Sequence, residues 1–259
     1  LLLTAKLRDV QEVPSMRYRS LALAATVALA LAVPARAATP TKPLRTLVYA
    51  VQYSAQSRND EQTSGFTGNG GGPGTAGGLV TRTTDAGDDG TLTVNVIAAT
   101  PDGGLVVDAS FVGKTTTQPA LRVAIFPDGR LSLDPSAVLS PEAVEVLPLL
   151  ARGLVAGRDV SVGSSWTIDD APPLKGSHSY KVTALDGDVA TLAIAGTRNL
   201  SGARGYDQSD TGTAQYDTVH LCPLSYDLTS NQHHTVGTSQ FVSTNARLTA
   251  KLVSDSFAH

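Results

Sequence analysis

The chain has 259 residues, 17% of them charged and 5% aromatic, with a formal net charge of −3 and one cysteine. Scattered, slightly acidic charge argues against nucleic acid as a partner and against electrostatic docking on anionic lipid. A lone Cys222 rules out an internal disulfide, so the fold must rely on its apolar core.

Residues 1–15 precede Met16 and read as an upstream extension, with translation starting at Met16 itself. Met16-Arg17-Tyr18-Arg19 is basic, residues 20–33 are apolar, and Ala35 and Ala37 offer the small residues of a cleavage site. This order reads as a secretory signal peptide over 16–37. The apolar run is shorter than the ~20 residues a membrane span needs. The sequence therefore predicts an exported protein, periplasmic or extracellular, soluble after signal-peptide removal and not integral to the membrane. Residues 38–259 read as a single β-rich domain.

Along that domain Glu and Lys are scarce, while Thr, Val, Ser and Gly abound, a usage that favours sheet and turn. Residues 44–57 open it. Leu47, Tyr49, Val51 and Tyr53 alternate with Val48, Ala50, Gln52 and Ser54, the period of a strand with one buried face. Residues 59–78 carry Gly68, Gly70, Gly71, Gly72, Gly74, Gly77 and Gly78 and predict a flexible loop or long hairpin tip. Strands follow over 79–84, 91–100, 105–111, 120–126 and 130–133. Asp88-Asp89-Gly90, Pro101-Asp102-Gly103-Gly104 and Pro127-Asp128-Gly129 read as the turns between them.

A helix is predicted from Ser140 to about Arg152. Ser140 suits the cap, Pro141 the first turn, and Glu142 the positive end of the dipole. Val144, Leu147, Leu150 and Leu154 form its apolar stripe, and Pro148 should kink or split it. Strands resume over 161–168, 179–185, 189–197, 212–220, 224–234 and 239–252, with Asp186-Gly187-Asp188 as a hairpin turn and Pro223 near the tip of another. The fold class is thus mainly β: one curved antiparallel meander, a half-barrel, with a short helical segment on its concave face. Curvature follows because twist accumulates over so many strands.

Few residues carry chemistry. The glycine run lacks the lysine and following helix of a phosphate loop. Asp85, Asp88 and Asp89 lack calcium-loop spacing and read as turn residues. His233 and His234 would point to opposite faces of a strand. His220 and Cys222 have the one ligand-like spacing, but a zinc site needs at least three protein ligands, so no metal is expected. Cys222 reads as a small core residue. No Gly-x-Ser-x-Gly elbow occurs. Glu142 and Glu145 read as a solvated helix face rather than an acid/base pair. Trp166 reads as a core anchor ahead of a pocket wall.

The Tyr-x-Val-x-Tyr opening strand, the Pro-Asp-Gly turns, a helix leading into Val162-Gly163-Ser164-Ser165-Trp166, and a Tyr-x-Val strand before an Asp-Gly hairpin resemble exported bacterial proteins of unknown function. Their expected fold is similar to the half-barrel of the lipoprotein-localisation factors. That resemblance implies a curved sheet holding acyl chains. It transfers no functional residue, because the carrier family's motifs are absent.

Two functions are therefore expected. One is a non-catalytic protein, without cofactor, that binds a lipid or another apolar molecule. Its candidate lining residues are Val144, Leu147, Leu150, Leu154 and Trp166. The other is a structural or interaction module that meets an envelope protein through an exposed edge or the glycine-rich loop.

Overall fold

The computed structural model describes residues 42–62, 79–151, 154–169, 175–200, 205–236 and 240–257. The segments read as upstream extension and signal peptide lie outside the described residues. So does most of the glycine-rich stretch.

Among the described residues eleven strands form: β1 (Arg45–Gln62), β2 (Leu79–Ala99), β3 (Leu105–Gly113), β4 (Thr117–Ile125), β5 (Leu131–Ser132), β6 (Ser165–Asp169), β7 (Lys175–Asp186), β8 (Val189–Leu200), β9 (Tyr206–Asp217), β10 (Cys222–Val236) and β11 (Gln240–Asp255). All join one open antiparallel sheet in the order β5-β4-β3-β2-β1-β11-β10-β9-β8-β7-β6. The first five strands walk outward from the middle. The chain then crosses to the far edge, and the last six walk back until β11 meets β1. Tyr53 lies opposite Leu248 at that central seam, and Ala55 opposite Ala246.

Alternation decides which face is buried. Leu47, Tyr49 and Val51 of β1, Leu92 and Val94 of β2, Phe111 of β3, Ile125 of β4, Val182 of β7 and Leu192 of β8 share one apolar cluster with Ala143, Val146, Leu147 and Leu150 of the helical segment. Strands near both edges reach the same short segment, so the sheet curls around it. No helix among the described residues is long and apolar enough to cross a membrane.

The helical segment lies where the sequence places it, between the two half-meanders. Ser140 caps α1 (Pro141–Val146), its hydroxyl accepting the Ala143 N–H at 3.3 Å. Beyond Val146 the backbone tightens into a 3₁₀ turn over Leu147–Leu150. Pro148 explains the break. It has no N–H for the α-helical ladder, and its ring would crowd the Val144 carbonyl. The change of winding also shifts the buried face. Ala143, Val146, Leu147, Leu149 and Leu150 turn inward, while Val144, expected in the buried stripe, remains 39% exposed.

Two expectations need correction. Asp88-Asp89-Gly90 is no turn, because β2 runs unbroken from Leu79 to Ala99. Its partner β1 is long enough to pair with nearly all of it, from Arg45 opposite Val96 to Gln62 opposite Leu79. A continuous ladder outweighs local turn preference. Asp88 still serves a turn, but a different one. Its carboxylate accepts the N–H groups of Lys114, Thr115 and Thr116 at 2.7, 3.1 and 2.8 Å, which fixes the β3–β4 connection. Nor does the loop begin at residue 59, since Asn59 to Gln62 belong to β1.

A buried ion pair holds the seam at the other end. Arg45 grips Asp255 with two bonds, at 2.6 and 3.0 Å, and donates to the His220 carbonyl at 2.6 Å and to the Cys222 sulfur at 3.1 Å. One guanidinium thereby ties β1, β11 and the β9–β10 turn together. Asp255→Ala strands that cation in a largely desolvated place and is expected to lower stability by about 3 kcal/mol. Urea denaturation checks this; a change within about 0.5 kcal/mol would show the pair to be ornamental.

Candidate ligand-binding cleft

The strand register reads across the concave face as successive rows. Tyr53, Leu248 and Leu228 stand side by side on β1, β11 and β10. The next row is Ala55, Ala246, Ser230, Asp210, Gly196 and His178. Beyond it come Ser57, Thr244, Gln232, Gln208 and Arg198. The floor therefore grades from apolar through small to polar. The helical segment lies over the apolar part, and its Glu145 reaches Arg198 in the last row.

Among the described residues, three clefts lie around α1. One of about 370 Å³ runs between α1 and the floor, with Val144, Tyr53, Leu228 and Leu248 in its walls. One of about 330 Å³ lies on the β6–β8 side, with Leu154, Ile168, Tyr180 and Ile194. These two share Val144, Glu145 and Arg198. A third, about 470 Å³, opens at the start of α1 beside Gln118 and Glu142, and shares Tyr53, Leu139 and Pro141 with the first. Together they form a bent trough around the helix.

The polar side chains of the trough are organised. His178 Nε2 lies 3.1 Å from Asp210 Oδ2, and Gln208 Nε2 donates to both Asp210 oxygens at 2.8 and 3.0 Å. Tyr206 donates in turn to Gln208 Oε1. Burial alone would raise the Asp210 carboxyl, but the hydrogen bonds from His178 and Gln208 outweigh it and hold it below its ordinary value. His178 on β7 reaches Asp210 on β9 by lying across Gly196 of β8, where any Cβ would collide with the imidazole. Arg198 and Glu145 approach to 3.8 Å. Burial raises the Tyr53 hydroxyl, and the nearby charges of Glu142 and Glu145 raise it further.

The five candidate lining residues separate. Val144 and Leu154 line the trough. Leu147 and Leu150 lie in the core, 0% and 2% exposed. Trp166 is half-buried on β6, stacked on Tyr180 with ring centroids 6.1 Å apart, and Arg158 sits over its ring. Glu142 was expected on a wet helix face and is instead 2% exposed. It lies one turn before Val146, on the side the sheet covers. Glu145 is half-buried and meets Arg198. His220 and Cys222 do not act as a pair. The exposed imidazole bonds Asp217 at 2.8 Å, whereas the buried thiol meets Arg45.

Sequence reasoning passed over Asp210 and Gln208, gave His178 no role of its own, and passed over Gln118. A signal existed for the first three. Gln208 and Asp210 share the strand phase of the buried Ala214 and Tyr216, and His178 that of Tyr180 and Val182. A polar residue in the inward phase marks a buried polar site.

No family model matches this chain, and no curated protein matches it. A solved structure entitled "lipid-protein interactions in lipovitellin" superposes with a TM-score of 0.39 and 12% identity. The overlap covers 85% of this chain and 26% of that one, so the chain spans about a quarter of lipovitellin. At that level the likeness carries no weight for function.

Two outcomes follow from the polar row. Gly196→Ala expels the imidazole from its seat and is expected to destabilise by about 1–3 kcal/mol, read as a lowered urea midpoint. The depressed Asp210 carboxyl contributes stability that is fully present above its unfolded value, ordinarily 3.8, and is lost as pH falls through the lower folded value. Asp210→Asn should therefore lose more stability relative to wild type at about pH 6 than at about pH 3. An equal difference at both pH values would contradict this.

Proposed function

We propose that the chain is a non-catalytic binding protein that takes a lipid or another elongated apolar ligand in the trough around α1. One observation carries this reading. The helical segment leaves Val144 exposed over an apolar floor of Tyr53, Leu228 and Leu248, with open space between them. An apolar wall facing an apolar floor across about 370 Å³, with Glu145, Arg198, Gln208 and Gln232 along one side, is the form of a small-molecule site. Burying roughly 300 Å² of ligand there would contribute about 7 kcal/mol before ordering costs. Along α1 and the β6–β8 side the polar groups are committed to one another, His178 and Gln208 to Asp210, and Glu145 to Arg198. That supports holding rather than chemistry. The basic, apolar and small-residue order of residues 16–37 supports action outside the cytoplasm.

A second reading rests on a different observation. Leu79, Val80 and Phe241 are exposed at the end of the sheet that adjoins the glycine-rich stretch. They would serve an interaction module of the envelope. Deleting residues 63–78 and comparing partners recovered from envelope extract separates the two, since a trough ligand does not need that stretch.

The trough is tested with an apolar fluorescent probe and its displacement by a fatty acid. Wild-type protein should bind the probe, and Val144→Arg should weaken binding at least about tenfold with an unchanged melting temperature. Equal binding by both proteins, or none by wild type, would remove the reading.

A further inference from the structure

We propose that the cleft at the start of α1 is a headgroup site, for the end of an amphiphile that carries an N–H-bearing ammonium beside an acceptor oxygen. This rests on the trough binding an apolar tail, and it specifies the polar end.

Two side chains carry it. Glu142 is 2% exposed, and among the described residues its Oε2 has no hydrogen-bond partner. Gln118 is 8% exposed. Its Oε1 accepts the Ser140 N–H, while its Nε2 is equally without a partner. Both residues line the same cleft of about 470 Å³. Buried polar groups are nearly always satisfied, so two orphans at one cavity are a departure that calls for a cause.

The orphans are complementary in sense. Glu142 offers a carboxylate acceptor, and Gln118 offers an amide donor. Two of the neighbouring polar groups are already engaged. Asp88 is occupied by three backbone N–H groups, and the Ser140 hydroxyl accepts from Ala143. Small rotations of Glu142 and Gln118 at the cleft wall bring both orphans to a ligand.

Chemistry then selects the ligand end. An anion meets the Glu142 carboxylate as a like charge. A quaternary ammonium has charge but no N–H to donate. A primary ammonium next to a phosphate or ester oxygen satisfies Glu142 and Gln118 together, as a charge-assisted bond and an ordinary one. Because this cleft and the α1 channel share Tyr53, Leu139 and Pro141, a ligand seated here directs its tail past Val144 toward Leu228 and Leu248.

The full chain is titrated with three lysophospholipids of one acyl length, bearing ethanolamine, choline or glycerol headgroups, and with free phosphoethanolamine. The ethanolamine lipid should bind about tenfold or more tightly than the other two. Glu142→Gln and Gln118→Leu should each abolish that preference while leaving the choline lipid's affinity within about twofold. Equal affinity for all three lipids overturns the proposal, as does a preference that survives both substitutions. So does free phosphoethanolamine binding as tightly as the lipid. The wild-type ranking needs no variant and stands even if a substituted chain fails to fold. If the apolar probe binds and no lysolipid does, the headgroup site falls and the trough stands. If neither binds, both fall.

Discussion

The pairing of β1 with β11 is the constraint on which the architecture depends. It joins the opening and closing strands in the middle of the sheet rather than at an edge. Each half of the chain must then grow outward, so β5 and β6 become opposite edges. The segment between them has to travel from one edge to the other. Its apolar side chains cannot stay in water, and the hollow of the curled sheet is the surface that can take them. The place of α1 thus follows from connectivity, and the trough follows from α1 being too short to cover the floor.

At several places the sheet is built by omission. Phe111 lies close to Gly90, Asp88 to Gly113, His178 to Gly196 and Leu228 to Gly212. At each position a side chain from one strand leans over a neighbour that has none. Such glycines weaken a strand by themselves. Here they let long side chains lie flat along the sheet, and so let a histidine bond an aspartate two strands away.

Much of this was legible in the sequence, for identifiable reasons. Leu47, Tyr49, Val51 and Tyr53 keep strict alternation, and Ser140-Pro141 followed by Pro148 marks both the start and the break of the helical segment. What escaped depended on partners distant in sequence. The unbroken β2 needed the full length of β1 beside it, which no window around Asp88-Asp89-Gly90 reveals. Leu147 and Leu150 look like pocket walls on an ideal helix, but the 3₁₀ winding turns them into the core. Glu142 looks wet until the sheet closes over it. Asp210, Gln208 and His178 were visible as inward-phase polar residues. Their union across Gly196 was not, because it joins strands far apart in the chain.

Cys222 has its own consequence. Its sulfur is buried under Arg45, and burial, partly offset by that guanidinium, pushes the thiol up to about 11. The thiolate is the form that reacts with oxidants and alkylating agents, and here it is both scarce and shielded. The only sulfhydryl in the chain therefore stays chemically silent while the seam is closed. Its modification rate in native buffer becomes a clock for the parting of β10 from its neighbours, with no label added and no residue changed.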